Sequence, residues 1–572
     1  MLRRAALAGL LVITPAAPAQ TGSKFRTAKA GELGVVASES PAASRAARAM
    51  LERGGNAIDA AATGVFALGV ARPQSCGIGG GGFLVYRSAS GAARTLDFRE
   101  TAPAAMRPDT FSSQPGGLHE KFTGHLTVGV PGTVAGMASA LNRYGTVDLR
   151  DAIRPAEELA RTGFAVPLSL AIATKDNAKR LSPEARRLFL RPDGTEHPPG
   201  TTFQQLELAR SLRLLMRQGP RAMYGGELAR RIVRDMRAPR PDTKDPGILT
   251  VKDFAAYEAK WRTPLRGTYR GRGIVAMPPP SSGGTTVLQM LKVLERFDLG
   301  AMGAGSADAL HLLAEAQKIA FGDRNRYVAD PDVVDVPVAQ MLSGDYAAKR
   351  AAQISMQRAG GSSPGLGELP ARPEESTTSL SVLDRDGNAV VVTCTIEQEF
   401  GSGVVAPGTG FLRNNELTDF GKPGTANEPR PGKRPRSSIA PTIVVEGGRR
   451  VLAVGGAGGA RIIMGSLLPI VQMVDFDQQL DSALDAPRID AMNGKDGAVA
   501  LEDARLAPCV VYELRRRGHR LDLLGEYGRS PRVNAVGAVA VRPGVPPARA
   551  EGRFAASDPR TDDGALVERQ RR

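Results

Sequence analysis

The stretch Glu375-Ser376-Thr377-Thr378-Ser379-Leu380-Ser381-Val382 is a run of small hydroxyl residues that leads into a strand-like segment. If the backbone is cut before Thr377, that residue carries both a hydroxyl nucleophile and a free α-amine that can act as its base. One residue then supplies the two groups that nucleophilic catalysis requires. Threonine is also common in β-strands, because its branched side chain suits extended backbone. The rest of the chain therefore decides between a catalytic and a structural interpretation.

Two hairpins are predicted after this stretch, because strand-forming residues flank short turns rich in Gly, Asp and Asn. Residues 380–383 pair with 389–396 in the first hairpin, and residues 442–445 pair with 451–454 in the second. Residues 361–375 are rich in Gly, Pro and Ser, which predicts an exposed loop. The chain can be cut in such a loop without opening the core.

Helices are predicted on both sides of Thr377, and the middle of the chain is predicted to be mainly helical. A helix at 41–52 has Ser40 as its N-cap and Pro41 at its first position, and Gly54-Gly55 ends it. Further helices are predicted at 57–70, after Thr133, at 155–161 and at 460–474. The alternation of helices and strands predicts a fold of the α/β (α+β) class.

Composition indicates a globular protein that does not bind nucleic acid. With 572 residues, 42% hydrophobic and 23% charged, the chain has the balance of a globular protein with a large core. Its net charge of +16 comes from scattered basic residues with little aromatic interleaving, so we expect no nucleic-acid partner.

The N-terminus is predicted to be a signal peptide, residues 1–19. Arg3 and Arg4 precede an apolar stretch at 5–13, and Ala17-Pro18-Ala19 offers a cleavage site before Gln20. The apolar stretch is too short to span a bilayer. We therefore expect an exported protein, periplasmic or secreted, without a stable membrane anchor.

Cysteine and histidine usage predicts neither a disulfide framework nor a metal site. The three cysteines, Cys76, Cys394 and Cys509, are too few for such a framework, and we expect Cys394 to be a small buried apolar residue. The five histidines are scattered and lack metal-ligand spacing. We expect no metal and no cofactor.

Seven stretches in consistent order carry a resemblance to a known family. They are Gly54-Gly55-Asn56-Ala57-Ile58-Asp59-Ala60-Ala61, Asp97-Phe98-Arg99-Glu100, Pro131-Gly132-Thr133-Val134-Ala135-Gly136, Asn414-Asn415-Glu416-Leu417-Thr418-Asp419-Phe420, Lys433-Arg434-Pro435-Arg436-Ser437-Ser438, Gly458-Gly459 and Ala556-Ser557-Asp558-Pro559-Arg560. From about Gly34 to Asp563 the chain resembles the γ-glutamyltranspeptidase family of N-terminal-nucleophile hydrolases. The resemblance implies a four-layer αββα sandwich and a precursor that cuts itself between Ser376 and Thr377.

The implied products are a large subunit, residues 20–376, and a small catalytic subunit, residues 377–572. We expect them to stay together as a heterodimer, because a released small subunit would expose apolar strand edges. By resemblance, Thr377 is the nucleophile, Thr395 orients it, and the backbone N–H groups of Gly458 and Gly459 form the oxyanion hole.

The resemblance also implies a binding site for the two charged groups of a γ-glutamyl substrate. Arg99, with Ser437 and Ser438, matches the positions that bind the α-carboxylate, for which a planar guanidinium is well suited. Glu416 and Asp419 match those that bind the α-ammonium. Glu397 stands where many members have Asn, and it adds a third carboxylate near the ammonium.

The implied activity is that of a γ-glutamyltransferase and glutathione hydrolase that passes the γ-glutamyl group to water, amino acids or peptides. The preferred acceptor and the physiological donor stay open. Residues 421–436 are shorter than in many relatives and have no aromatic residue, which predicts an open site for bulky or polymeric donors. The alternatives are a glutaryl or cephalosporin-type acylase on the same scaffold and an exported binding protein without turnover.

Overall fold

Two β-sheets packed face to face form the centre of the molecule, and helices cover both outer faces. The computed structural model describes residues 28–29, 34–111, 123–239, 246–361, 375–447, 450–492, 497–526, 536–541 and 553–560. The predicted signal peptide and most of the predicted exposed segment before Thr377 lie outside these residues. The four layers confirm the expected αββα sandwich, an α+β architecture.

The strands, in chain order, are β1 (Ala28–Lys29), β2 (Gly34–Ser38), β3 (Gly81–Arg87), β4 (Ala93–Asp97), β5 (Phe164–Ala165), β6 (Thr202–Phe203), β7 (Lys260–Arg262), β8 (Leu265–Tyr269), β9 (Arg272–Ala276), β10 (Glu375–Asp384), β11 (Ala389–Gln398), β12 (Thr442–Glu446), β13 (Arg450–Gly456), β14 (Ile489–Asp490), β15 (Val499–Leu501), β16 (Leu521–Leu523), β17 (Val536–Val541) and β18 (Arg553–Ser557). The first large sheet has the order β2-β10-β11-β3-β4-β7. The second has the order β1-β18-β17-β13-β12-β9-β8. Strands β10 and β11 of the first sheet lie against β13 of the second.

Strands from both sides of Thr377 are interleaved in each sheet. In the first sheet, β10 pairs with β2 on one side and with β11 on the other, and β11 in turn pairs with β3. In the second, β12 lies between β9 and β13. The two predicted subunits therefore share both sheets, and neither has a complete core of its own.

Both predicted hairpins are confirmed, and the first is longer than expected. The structure extends β10 back to Glu375, because the hydroxyl residues before Leu380 pair with β11. The turn is held by the Asp384 carboxylate, which accepts hydrogen bonds from the backbone N–H groups of Asp386 at 3.0 Å and Asn388 at 2.9 Å. It also accepts one of 3.0 Å from the N–H of Ala57, which ties the turn to the start of a helix.

The α-helices span Pro41–Glu52, Ala57–Ala71, Thr133–Tyr144, Leu149–Thr162, Leu168–Asn177, Pro183–Phe189, Leu206–Gln218, Glu227–Arg237, Val251–Ala255, Gly283–Leu294, Leu299–Met302, Ala307–Tyr327, Val338–Met341, Gly344–Ala351, Ile462–Val474, Leu480–Asp485 and Pro508–Arg516. Helices Pro41–Glu52 and Ala57–Ala71 cover the first sheet, whereas Gly283–Leu294 and Ile462–Val474 cover the second. Within the described ranges, no helix has the length and apolar character that crossing a membrane requires.

The helix starts agree with the capping signals except at one proline. Ser40 caps Pro41–Glu52 by accepting the N–H of Ala43, as predicted. The helix predicted to begin at Pro155 begins at Leu149 instead, with Asp148 as its N-cap, and Pro155 lies inside it. The Asp148 side chain satisfies a backbone N–H that the helix start leaves unbonded, so the capping residue rather than the proline sets the start.

The expectation that Cys394 serves only as a small apolar residue is wrong. Cys394 is buried, but it forms a disulfide with Cys76, 318 residues earlier in the chain. Cys76 follows the end of helix Ala57–Ala71, which packs on β11, and this packing brings the two cysteines together. The third cysteine, Cys509, is exposed and has a free thiol.

Candidate active site

Three residues form a chain of hydrogen bonds around the predicted scissile bond. The Thr377 hydroxyl donates to the Thr395 hydroxyl oxygen over 3.3 Å, and the Thr395 hydroxyl donates to the carbonyl oxygen of Ser376 over 3.0 Å. The backbone N–H of Glu397 donates to the same Thr395 oxygen over 2.8 Å. Thr395 therefore contacts both the predicted nucleophile and the carbonyl that precedes it in the chain.

The register of the hairpin sets this geometry. Thr377 lies directly opposite Thr395 in the β10–β11 ladder, and an irregularity in the pairing falls between Glu375 and Thr377. Ser376 is held from the other side, because its hydroxyl oxygen lies 2.5 Å from that of Ser75. All four hydroxyl side chains are buried, so these interactions form away from bulk water.

Gly458 and Gly459 form a tight turn between β13 and helix Ile462–Val474. Their φ angles of +107° and +60° lie in the left-handed region that favours glycine. The turn contacts β10, the strand that carries Thr377. A short 3-10 segment, Gly459–Arg461, leads directly into the helix, so the N-terminal, positive end of the helix dipole lies at this turn.

Arg99 is brought together with Glu416 and Asp419. Its guanidinium forms ion pairs with both carboxylates, with a separation of 2.5 Å from Nη2 to Asp419 Oδ2. Nε also donates to the carbonyl oxygen of Pro435 over 3.2 Å. We expected the arginine and the two acids to face different groups of a substrate, whereas in the structure they contact each other.

Burial controls the charge of this cluster. It raises the pKa of Glu416 well above its usual range, against the opposing effect of Arg99, and repulsion from Glu100 acts in the same direction. Burial likewise raises the pKa of Glu100 to about 7. Glu100 and Glu416 therefore hold protons at a pH where isolated glutamates are ionised. Glu100 did not stand out in the sequence, where it is simply the residue after Arg99.

Glu397 interacts with both Thr395 and Glu416. It is a buried residue with φ +78°, an uncommon backbone conformation for a residue other than glycine, near the end of β11. Its negative charge contributes to the raised pKa of Glu416. The N–H of Asn415 donates to the carbonyl oxygen of Ile396 over 3.2 Å, which fixes the segment before Glu416 beside β11.

The predicted serine pair is positioned by an arginine that the sequence does not single out. The Ser438 hydroxyl accepts a 2.6 Å hydrogen bond from Arg324, whose Nε donates to the Ser282 hydroxyl over 2.7 Å. The Ser437 carbonyl oxygen accepts from the N–H of Ser282 over 2.7 Å. The two residues before this pair, Pro435 and Arg436, bind Arg99 through their backbone carbonyl oxygens.

Residues 43–568 match the model of the family described as "Gamma-glutamyltranspeptidase". The chain belongs to the γ-glutamyltranspeptidase family. It is 40% identical to a glutathione hydrolase proenzyme of Escherichia coli (strain K12), over 85% of this chain and 87% of that protein. It is 39% identical to an acylase ACY 1 proenzyme of Pseudomonas sp. (strain V22), over 90% of each chain. Among solved structures, it resembles a cephalosporin acylase from Bacillus halodurans with a TM-score of 0.82 and 27% identity, covering 98% of this chain and 100% of that one.

The short segment 421–436 of this family member folds around Asn427. Its side-chain amide donates to the carbonyl oxygen of Asp419 over 2.7 Å, and its side-chain oxygen accepts the N–H of Arg436 over 2.9 Å. The backbone carbonyl of Asn427 accepts the N–H of Gly421 over 2.7 Å. One asparagine thereby fixes both ends of the segment and Asp419, two residues before it.

Two of the histidines that are far apart in the sequence lie together in this family member. His311 Nδ1 and His519 Nε2 are 2.7 Å apart, and His311 Nε2 donates to the carbonyl oxygen of Ser355 over 2.8 Å. Glu315 lies close by, but its carboxylate accepts a 2.8 Å hydrogen bond from Lys318. Burial lowers the pKa of His519 to about 3, so the pair is uncharged. We interpret it as a buried, hydrogen-bonded histidine pair.

Proposed function

We propose that this chain is a self-processing γ-glutamyltransferase with glutathione hydrolase activity, and that Thr377 carries the γ-glutamyl group as an ester. The observation that supports this most directly is the pair of hydrogen bonds through which Thr395 contacts the Thr377 hydroxyl and the Ser376 carbonyl oxygen. Nucleophile and electrophile are held by one side chain, which is the arrangement that intramolecular attack requires.

Processing begins when Thr377 Oγ attacks the carbonyl carbon of Ser376. The Ser376–Thr377 C–N bond then breaks, the nitrogen gains a proton and becomes the free α-amine, and the acyl group moves to Thr377 Oγ as an ester. Water hydrolyses the ester to a Ser376 carboxylate and a free Thr377 hydroxyl. Negative charge develops on the Ser376 carbonyl oxygen during attack, and the hydrogen bond from Thr395 stabilises it.

The processed enzyme uses the same hydroxyl on its substrate. Thr377 Oγ attacks the γ-glutamyl carbonyl while the α-amine accepts the hydroxyl proton and then passes it to the departing amine. Water or an acceptor amine attacks the resulting ester and regenerates Thr377. The backbone N–H groups of Gly458 and Gly459 are proposed to stabilise the oxyanion, supported by their left-handed backbone conformation and by the helix that begins there.

Substrate recognition is proposed to be an exchange of ion pairs. The α-carboxylate of the γ-glutamyl group binds Arg99, and the α-ammonium replaces the guanidinium as partner of Glu416 and Asp419. Ser437, Ser438 and Glu397 complete the site. A glutaryl group has no ammonium, so it would draw Arg99 away from Glu416 and Asp419 and put no hydrogen-bond donor in its place. Leaving the buried Glu416 carboxyl group without a partner is costly, which favours γ-glutamyl over glutaryl donors.

We further propose that residues 20–376 and 377–572 stay associated as a heterodimer in an exported, periplasmic or secreted enzyme. The interleaved strands support the association, because separation would expose the edges of β10 and β12. The leader-like residues 1–19 support export.

A glutaryl or cephalosporin-type acylase is the second candidate, and an acylase ACY 1 proenzyme at 39% identity favours it. An exported binding protein without turnover is the third. Intact mass of the purified protein, followed by assays with a γ-glutamyl anilide and its glutaryl analogue, separates the three. We expect two fragments that meet at Ser376–Thr377 and faster turnover of the γ-glutamyl compound. Faster turnover of the glutaryl compound would support the acylase, and an uncut, inactive protein would support the binding protein.

A further inference from the structure

The disulfide between Cys76 and Cys394 connects the two sides of the predicted cleavage site. Cys76 precedes the Ser376–Thr377 bond by 300 residues and falls in the large subunit, whereas Cys394 follows it and falls in the small one. Their Cα atoms are 5.5 Å apart, a separation that disulfides commonly span. We propose that this disulfide covalently joins the two subunits of the mature enzyme, an inference that rests on the proposed processing.

Each cysteine is next in sequence to a residue whose hydroxyl group contacts Ser376. Ser75, one residue before Cys76, contacts the Ser376 hydroxyl over 2.5 Å. Cys394 is followed by Thr395 and lies opposite Thr378 in the β10–β11 ladder. The disulfide therefore joins β11, whose Thr395 contacts the nucleophile Thr377, to the segment whose Ser75 contacts Ser376.

The surroundings shelter this disulfide from reductants. Cys76 and Cys394 are each about 1% exposed. On the other side of β11, Gly82 lies so close that a Cβ atom there would come within 3.0 Å of the Cys394 Cα atom. Thiolate attack needs access to a sulfur, so reduction of the folded enzyme should be slow, and unfolding should make it fast.

Formation of the bond needs an oxidant, and an exported protein meets one. The two thiols exchange with a protein or small-molecule disulfide, which takes up both protons and both electrons as two thiols while the Cys76–Cys394 bond forms. Such disulfides persist in oxidising compartments and are rare in the cytosol. The pairing is thus consistent with the predicted leader.

Cleavage changes the role of the crosslink. In the precursor the disulfide closes a loop within one chain and restricts the unfolded state. After cleavage it covalently connects the two chains, so that they cannot diffuse apart when the enzyme unfolds. The unfolding of the oxidised enzyme should then be independent of protein concentration, as for a single chain.

The test is the mass of the processed enzyme after denaturation in the presence of a thiol-blocking reagent. We expect one species that contains both subunits, which a reductant converts into two. Two species without a reductant would overturn the inference while leaving the processing intact. A wild-type protein that stays full-length after reduction would overturn the processing and the inference with it. Cys509→Ala, which removes the exposed free cysteine, should behave as wild type.

Cys394→Ala should give two separate subunits without reductant, and peptide mapping of the wild type should recover a peptide pair joined through Cys76 and Cys394. The temperature of unfolding provides a second measurement. On about 100-fold dilution it should stay constant for oxidised wild type and fall for Cys394→Ala. Should the variant fail to fold, wild-type enzyme reduced under mild denaturation takes its place, and an unfolding temperature that falls on dilution even before reduction would contradict the crosslink.

Discussion

The Thr395 hydroxyl donates a hydrogen bond of 3.0 Å to the carbonyl oxygen of Ser376. Removal of one oxyanion donor usually slows a reaction by about 10²–10³. We therefore predict that Thr395→Val, which keeps the shape and removes the hydroxyl, slows self-cleavage by that factor. Thr395→Ser retains the hydroxyl and should process at close to the wild-type rate. The appearance of fragments on a denaturing gel after synthesis in a cell-free system measures both rates; equal rates for the two variants would contradict the assigned role.

Thr377→Ala should remain one full-length chain without transferase activity, because it lacks the hydroxyl that attacks both the Ser376 carbonyl and the substrate. Thr377→Ser should still be cut, since it keeps a hydroxyl and gains the same free α-amine. Intact mass and a γ-glutamyl anilide assay measure these outcomes. An uncut but active Thr377→Ala protein would overturn the mechanism.

Glu416→Gln should lower kcat/KM for a γ-glutamyl anilide by about 10- to 100-fold, because an interaction with a charged group contributes about 1.5–3 kcal/mol. The loss should appear mainly in KM if the carboxylate binds the substrate ammonium. The glutaryl analogue, which has no ammonium, should lose much less activity. Asp419→Asn is the matched variant, since both carboxyl groups contact Arg99. Equal losses on the two substrates would indicate a structural role instead.

A buried carboxyl group outside the cluster predicts a dependence of stability on pH. Glu39 faces Arg72 at 3.4 Å, and burial raises its pKa to about 7. Above about pH 4.5 the unfolded chain releases this proton, whereas the folded chain holds it until about pH 7. The free energy of unfolding therefore falls between these values as the pH rises, by up to about 1.4 kcal/mol per pH unit from this group.

Glu39→Gln should remove that contribution and flatten the pH profile of urea unfolding between pH 5 and 7. Glu52→Gln serves as the control, because Glu52 forms only an exposed pair with Arg48. A Glu39→Gln profile parallel to that of wild type would show that Glu39 is ionised in the folded protein throughout this range.

The short segment 421–436 predicts activity on polymeric donors, because it offers no aromatic side chain to close over the pocket. We expect rates on short poly-γ-glutamate within about tenfold of those on glutathione, a difference of about 1.4 kcal/mol in transition-state binding. Exclusion of the polymer would contradict an open site. Asn427→Ala, which removes the side-chain hydrogen bonds to Asp419 and Arg436, should change the ratio of the two rates. Folding and self-cleavage of this variant should stay close to those of the wild type.

Features set by local chemistry could be predicted from the sequence. Ser40 and Pro41 define a helix start because a capping oxygen and a fixed φ angle act within a few residues. Both hairpins follow from turn residues between strand-forming ones. Pro155 was misleading because proline is typical of the first helical position, whereas here it lies six residues inside a helix whose start Asp148 caps.

Features that depend on distant packing could not be predicted. The Cys76–Cys394 bond joins residues 318 positions apart, and Arg324 contacts Ser438 from 114 positions away. Nothing next to either residue signals its partner. The ion pairs of Arg99 with Glu416 and Asp419 likewise arise only when β4 and the segment after β11 meet in the folded chain.

The β10–β11 ladder has a consequence for how the enzyme comes into being. Thr377 lies opposite Thr395 in only one register, and a slip by one residue would place Cys394 or Ile396 there instead. A slipped or unpaired strand would lack the hydroxyl that polarises the Ser376 carbonyl, and it would not be cut. Under the proposed mechanism, self-cleavage thus depends on correct folding. The α-amine of Thr377, which serves as the catalytic base, is released only in chains whose central strands are correctly aligned.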